Sequence, residues 1–415
     1  MAVQFFLQLT VILLACRAVG AVMPLIRQPR VIGEMIAGVL LGPSLLGLIA
    51  PVTQAALFPP ASFGALSVTS QLGLVLYMFV VGTHLHTDFI KQAFRGAMLI
   101  SLAGIVAPFA LGAALASFLY DDGRFFAANV SGWQSMLYLG AAMSVTAFPV
   151  LARIIQERGI AGTALGTLAL AAGATDDAIA WCLLAVVLAG FNNHPGVAIL
   201  AMVGGAAYAG VVFGLVRPQL AKLGQAAERE GYLSPGKLGL ILAMLMAGAW
   251  FTDRIGVHAV FGAFVLGVAM PRGVVTKELS RQIEPLVSSL LVPLFFAYSG
   301  LSTRFGLLWS SELLLLAVVV ILVASIGKGL ACWGAARLAG RPSREALAMG
   351  ALMNARGLME LIILNIGLER GLITPTLFAV MVMMTIVTTM AAGPLFDWAW
   401  KTSVEVPDAP GLPIR

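Results

Sequence analysis

Long apolar runs follow one another along this chain, separated by short polar breaks. A helix that crosses a bilayer needs roughly 20 mostly apolar residues. That template predicts thirteen spans, at 3–25, 31–49, 65–84, 97–119, 133–152, 161–190, 196–216, 236–252, 256–271, 284–303, 312–335, 345–367 and 373–398. Residues 1–400 are thus expected to form one transmembrane domain, all-α and polytopic. A short tail over 401–415 follows, carrying Val406-Pro-Asp-Ala-Pro-Gly411. The first run has no basic segment ahead of it and Arg17 interrupts it, so it reads as a span rather than a secretory leader. With no soluble domain appended, any regulatory domain is expected on a separate subunit.

Hydrophobic residues make up 60% of the 415 and charged residues 11%, against roughly 25% charged in soluble domains. So few charges cannot coat a water-soluble surface of this size. The net charge of +6 reads as topology rather than nucleic-acid binding. With the N-terminus placed outside, eighteen of the 25 Lys and Arg residues fall in inner loops. Four (Arg124, Arg254, Arg304, Arg370) fall in outer loops and three (Arg17, Lys328, Arg356) within spans. Lys and Arg concentrate on the cytoplasmic side of membrane proteins, and a missed span would scramble the alternation. The bias therefore supports an odd number of spans, with the N-terminus out and the C-terminus in. Cys16, Cys182 and Cys332 lie inside apolar runs and form no CxxC pair, so neither a disulfide framework nor a metal site is expected.

The chain contains an internal repeat. Gly140-Ala-Ala-Met-Ser-Val-Thr146 resembles Gly350-Ala-Leu-Met-Asn-Ala-Arg356, and each copy runs on to Glu-Arg-Gly, at 157–159 and 369–371. The copies fall on the fifth and twelfth spans, an odd separation, so they run in opposite directions. Inverted repeats, here roughly 31–190 and 256–398, are a recurring plan of secondary transporters. Each copy also carries a helix-breaking element. Pro149 lacks an N–H and its ring clashes with the carbonyl of Val145, so the fifth span is expected to break there. The twelfth has Asn354-Ala-Arg-Gly357 at the matching place, with Gly357 as its flexible point. Broken backbone at membrane depth is tolerated only inside protein or along a cavity. A shared polar site at the breaks is thus expected. A proline kink satisfied by neighbouring helices is the competing reading, and Asn354 and Arg356 weigh against it.

Asp176 and Asp177 lie near the centre of the sixth span, in Gly173-Ala-Thr-Asp-Asp-Ala-Ile-Ala-Trp181. A central Asp costs about 2.5–3.5 kcal/mol on insertion scales, so two adjacent ones call for a role. Successive helical residues are rotated by about 100°; one carboxylate can pair with a fixed cation while the other faces water. Lys328, in Ile326-Gly-Lys-Gly-Leu330, either forms that ion pair or snorkels to the interface. Arg356 and Glu360 share a helical face, as a structural pair or as fixed positive charge at the break. Glu34 and Arg17 read as a structural pair, His258 as a packed histidine, and Asp253 and Arg254 as loop charges.

A carboxylate removed from water favours its protonated form. It can then hold a proton near neutral pH, and a partly dehydrated Na+ or K+ competes for the same oxygens. If the site must be loaded to switch between inward- and outward-facing states, exchange results without ATP. No GxxxxGK[ST] phosphate loop is present. Nor does any nucleophile–base pair or metal-ligand cluster suggest an enzyme.

These motifs resemble the monovalent cation:proton antiporter-2 family, and within it the cation/H+ exchanger branch. The residues that carry the resemblance are Gln28-Pro-Arg-Val-Ile-Gly-Glu-Met-Ile-Ala-Gly-Val-Leu-Leu-Gly-Pro-Ser44, Ser144-Val-Thr-Ala-Phe-Pro-Val-Leu-Ala-Arg153 and Thr175-Asp-Asp-Ala-Ile-Ala-Trp181. Gly256-Val-His-Ala-Val-Phe-Gly-Ala-Phe-Val-Leu-Gly267, Pro293-Leu-Phe-Phe-Ala-Tyr-Ser-Gly300 and Met353-Asn-Ala-Arg-Gly-Leu-Met-Glu-Leu361 complete the set, in family order along nearly the whole chain. The resemblance implies thirteen spans in inverted repeats with two crossed discontinuous helices. It also implies a homodimer with a dimerisation part and a moving ion-binding core, and no cofactor beyond transported Na+ or K+ and H+. It assigns Asp177 as carrier of ion and proton and Thr146 as an oxygen ligand, so that Asp177, Asp176 and Thr146 face the transported cation. Asp176 stands at a variable position where Asp typifies electrogenic exchangers and pairs with a lysine at the place of Lys328. Many members of the closest branch carry Asn or Gln there. The expectation is an antiporter of the bacterial inner membrane. A ligand-gated potassium efflux pathway on the same scaffold and a Na+-coupled solute symporter are the alternatives.

Overall fold

A computed structural model describes residues 2–26, 28, 30–84, 87–160, 163–191 and 195–400. The expected tail lies outside these. The described chain is helical from end to end: α1 (Ala2–Val22), α2 (Arg30–Leu41), the short α3 (Leu46–Ile49) and α4 (Pro51–Leu57), α5 (Phe63–His84), α6 (Thr87–Tyr120), α7 (Gly132–Ser144), α8 (Phe148–Glu157), α9 (Ala164–Phe191) and α10 (Pro195–Val211). There follow α11 (Arg217–Glu230), α12 (Pro235–Arg254), α13 (Ala259–Ala269), α14 (Val274–Leu286), α15 (Val292–Leu301), α16 (Ser311–Leu338), α17 (Ser343–Met353), α18 (Leu358–Glu369) and α19 (Pro375–Trp400). Among the described residues the only β pairing is one antiparallel bridge, Phe126 with Ile373, between the loops after α6 and α18.

Eight helical stretches among the described residues are long and apolar enough to cross a membrane. Their outward faces carry large apolar side chains, such as Phe6 and Leu14 on α1 and Leu315, Leu322 and Leu330 on α16. Apolar exposure on this scale needs a non-aqueous neighbour, and the protein is a multi-pass membrane protein. The run expected at 284–303 starts earlier, at Val274, and passes through a π turn, Val287–Leu291, before α15. Pro285 and Pro293 flank that turn; each removes a backbone donor, and the wider turn sits between the two interruptions.

Two groups of helices can be told apart by their packing, and they meet where α18 touches α15 and α19 touches α2. In one, α1 lies on α2, α2 on α15, α15 on α5, α5 on α13 and α13 on α12. Its two main crossings are built alike. A Cβ added to Gly38 would collide with the Ala297 backbone, and one on Gly300 would come within 2.6 Å of the Met35 carbonyl. At the second crossing, Gly82 and Gly267 stand in the same relation to Phe264 and Phe79. Membrane helices lack a hydrophobic drive towards one another, so small residues that let backbones touch supply the attraction. The other group wraps α6, α7, α9, α16, α17 and α19 around the two breaks.

Both breaks are present, and the first differs in place from the expectation. Helix α7 ends at Ser144, Val145 is extended (φ −73°, ψ 141°), and α8 begins at Phe148. Pro149 is therefore the second residue of the new helix rather than the point of rupture. A first-turn position suits proline, because the N–H it lacks would have had no intrahelical partner. The second break, Asn354–Gly357, falls between α17 and α18, and Gly357 takes φ +151° there. The Glu-Arg-Gly repeats are matching helix stops. Gly159 (φ +67°) and Gly371 (φ +63°) are left-handed, and Ile160 N–H closes on Ile155 O at 3.1 Å as Leu372 N–H does on Gly367 O at 2.7 Å.

Candidate functional site

The two breaks meet backbone to backbone. The Ala147 N–H donates to the Ala355 carbonyl at 3.0 Å, so the ends of four half-helices converge on one point. The C-termini of α7 and α17 bring partial negative charge and the N-termini of α8 and α18 partial positive charge. Gly357 is tightly surrounded as well as left-handed, since a Cβ would press on Val150 Cγ2 at 3.3 Å.

Helix α9 brings Asp176 and Asp177 to this point. They are 1% and 0% exposed, and their surroundings differ. Asp176 is fully engaged: Ser101 Oγ of α6 donates to Oδ1 at 2.5 Å, Thr146 Oγ1 donates to Oδ2 at 2.5 Å, and Lys328 Nζ lies 3.1 Å from Oδ2. Asp177 is not: neither of its carboxylate oxygens has a hydrogen-bond partner. The Phe148 backbone N–H, at the start of α8, approaches it without completing a bond of normal geometry.

Lys328 does not snorkel. It is 0% exposed, and its ammonium also donates to the carbonyl of Ser144, the last residue of α7. It thereby neutralises a helix C-terminus and a carboxylate at once. Gly104 on α6 makes space for Cys332, one turn on from Lys328, as a Cβ there would come within 2.7 Å of Cys332 Sγ while staying in ordinary contact, 3.8 Å, with Lys328 Cε. Gly329 performs the same service for Asn354, whose Nδ2 donates to Ser325 O at 3.1 Å. The Gly-Lys-Gly string is thus a close-approach device on α16.

Arg356 is buried beside the second break. Its Nη1 lies 3.6 Å from Glu360 Oε1, its Nη2 3.4 Å from Ala324 O, and its backbone is gripped by Thr389, which accepts from Arg356 N at 3.0 Å and donates to Arg356 O at 2.8 Å. The structure thus brings together Asp176, Thr146, Lys328 and Asp177, while Arg356, Glu360 and Asn354 brace the α17–α18 break. Sequence reasoning missed Ser101, an ordinary hydroxyl in an apolar run whose one clue was Gly104 a turn away on the same face. It also missed the Ser144 carbonyl, which a sequence cannot display. His258 stands at the start of α13 with φ +28°, its ring accepting from Val260 N–H at 3.4 Å. Cys16 and Cys332 are buried free thiols. No group of three or more His, Cys, Asp or Glu side chains among the described residues is placed to hold a metal ion.

The family described as sodium/hydrogen exchanger, transmembrane, matches residues 10–402. The Na(+)/H(+) antiporter NhaS4 of Synechocystis sp. is 41% identical over 389 residues, which is 93% of this chain and 94% of that protein. Cation/H(+) antiporter 17 of Arabidopsis thaliana is 36% identical over 95% of this chain and 48% of its own length. K(+)/H(+) antiporter 1 of Saccharomyces cerevisiae is 32% identical over 96% of this chain and 46% of its own length. This chain therefore spans nearly all of the cyanobacterial relative and about half of the plant and yeast ones. The solved structure of the sodium proton antiporter MjNhaP1 from Methanocaldococcus jannaschii at pH 8 matches with a TM-score of 0.66 at 13% identity, over 96% of this chain and 97% of that one; at this identity the likeness is one of fold. The relatives are transporters rather than enzymes, and the chain belongs to the sodium/hydrogen exchanger family.

Proposed function

We propose that the protein exchanges Na+ or K+ for H+ across the bacterial plasma membrane, with Asp177 carrying cation or proton in competition. The observation that carries this reading is the unequal treatment of two adjacent buried carboxylates. An ionised carboxylate without partners costs several kcal/mol in a protein interior. Asp177 therefore requires a proton or a cation, and either occupant excludes the other. Asp176 already has three donors, so its charge is spoken for; Thr146 adds a hydroxyl oxygen that can turn towards a cation when Asp176 releases it.

In this reading the core carrying α9 and the crossed breaks moves against the α1–α2–α5–α12–α13–α15 group in alternating access, elevator fashion. The Asp176–Lys328 pair opens during the cycle, so that more than one proton moves per cation and exchange is electrogenic. Arg356 holds positive charge at the second break. The matched glycine crossings and matched Gly159 and Gly371 stops support two inverted repeats. Thirteen spans follow if α9, α13, the α7–α8 and α17–α18 pairs and the run from α10 to Val216 each cross once besides the eight long stretches. The Lys and Arg distribution supports an outside N-terminus. The protein works as a homodimer and needs no cofactor.

The test is purified protein in liposomes with an internal pH dye, under imposed Na+, K+, Li+ or Rb+ gradients, with and without clamped voltage. Cation-driven proton flux that responds to voltage and disappears in Asp177→Asn is the expected result. Conductance without proton coupling would point instead to a channel, and cation flux that needs an organic co-substrate to a symporter.

A further inference from the structure

A small, partly open cavity with a mostly apolar lining and a few polar groups lies away from the aspartates, among α5, α15, α18 and the residues ahead of α13. Its volume is about 30 Å³, and it is lined by Ser67, Ser70, Gln71, His258, Asn365 and Glu369, together with apolar and aromatic side chains. A volume of roughly 10–15 Å³ suffices for one water, so a single small cation with a water fits. By the Lys and Arg distribution this is the outer half of the membrane.

Ser70 is 1% exposed and its hydroxyl has no hydrogen-bond partner. A buried helical hydroxyl ordinarily bonds back to the preceding turn, as its neighbour Thr69 does to Ala65 O at 2.8 Å. Ser70 forgoes that bond and lines the cavity. Asn365 donates through Nδ2 to Ser299 Oγ at 3.0 Å and to Leu361 O at 2.8 Å. Both amide hydrogens are thereby used, and its carbonyl oxygen is what it has left to offer. Glu369, itself exposed and next to the Arg370 charge, adds a carboxylate from the last residue of α18, where the helix end contributes further negative potential.

These groups are oxygens with one formal negative charge. Hard cations take oxygen ligands, and divalent ions favour sites with several carboxylates. We propose that this cavity is a second, outer binding site for a monovalent cation, on which Na+ or K+ pauses between the outside and Asp177. The proposal rests on the antiport reading and gives the unexplained Glu of the second Glu-Arg-Gly repeat a function beyond stopping a helix.

The test uses binding rather than transport. Purified Asp177→Asn protein is equilibrated with 22Na+ or 86Rb+ in a scintillation-proximity assay. The expected result is binding near one ion per chain that survives Asp177→Asn and falls roughly tenfold or more on adding Glu369→Gln, in line with loss of a charge-assisted contact. Adding Ser70→Ala instead weakens it by a smaller factor and serves as the readout if the Glu369 variant does not fold. No binding by Asp177→Asn, or equal binding with and without these substitutions, makes the cavity a water pocket and overturns the proposal. The antiport reading fails on a separate observation, the absence of exchange by the unmodified protein.

Discussion

Asp176 and Asp177 are adjacent in the chain, yet the first accepts from three donors and the second from none. Opposite effects on stability follow. Asp177→Asn removes an uncompensated carboxylate, so the melting temperature in detergent rises by a few degrees while exchange is lost. Asp176→Asn strands the Lys328 ammonium and costs about 3–5 kcal/mol, as breaking one partner of a buried pair does. Thermal melts of the two variants side by side check this; a lower melting temperature for Asp177→Asn would contradict it.

Coupling between Lys328 and Asp176 is measurable directly. Lys328→Ala and Asp176→Asn are each destabilising, and the double variant recovers part of the loss, with an interaction energy of roughly 1–3 kcal/mol. Any exchange that survives in the double variant is insensitive to clamped voltage. Voltage-driven flux in that variant means the pair is structural.

The proposed competition at Asp177 implies a particular form of pH dependence. As external pH falls, the half-saturating cation concentration rises while the maximal rate at saturating cation is retained. Initial-rate measurements between about pH 5 and 8, the range in which protein stability is typically greatest, separate this from a pH effect on the rate alone.

A surface contact offers a control outside the membrane. The hydrogen bond from Arg124 holds the Asp122 carboxyl below its usual range, with the charge of the guanidinium adding to it. A lowered folded value means that the contact supports the fold above the ordinary Asp value of about 4 and ceases to do so as pH falls through the lowered one. Arg124→Gln thus lowers the melting temperature slightly at pH 7, less so at high salt, and the difference closes on strong acidification. A difference that persists in acid rules out this origin.

Much of this site was readable beforehand because charges in apolar runs are conspicuous. Asp176, Asp177, Lys328, Arg356 and Glu360 stand out for that reason alone, and all are buried. The breaks were legible as places but not as geometry. Proline marks where a helix is disturbed, whereas the rupture falls at Val145–Ala147, where the chain must turn to meet Ala355. Which aspartate takes the lysine depends on the rotation of α9 against α6 and α16, set by side chains far apart in sequence. Ser101 and the Ser144 carbonyl were invisible for that reason.

Gly357 tests the crossing itself. Its φ of +151° is closed to other residues, and an added Cβ meets Val150. Gly357→Ala costs about 1–3 kcal/mol in backbone strain and lowers exchange further than that stability loss explains. A variant with native melting and native flux means the second break can be rebuilt without glycine.

The tie between the Ala147 amide and the Ala355 carbonyl belongs to the main chain. No side-chain replacement other than proline at position 147, which would remove the donor N–H, deletes it. Hydroxyls, amides and acids around Asp177 can therefore be exchanged while the frame that positions them stays fixed, so that in the proposed reading ion preference can change without a change of architecture.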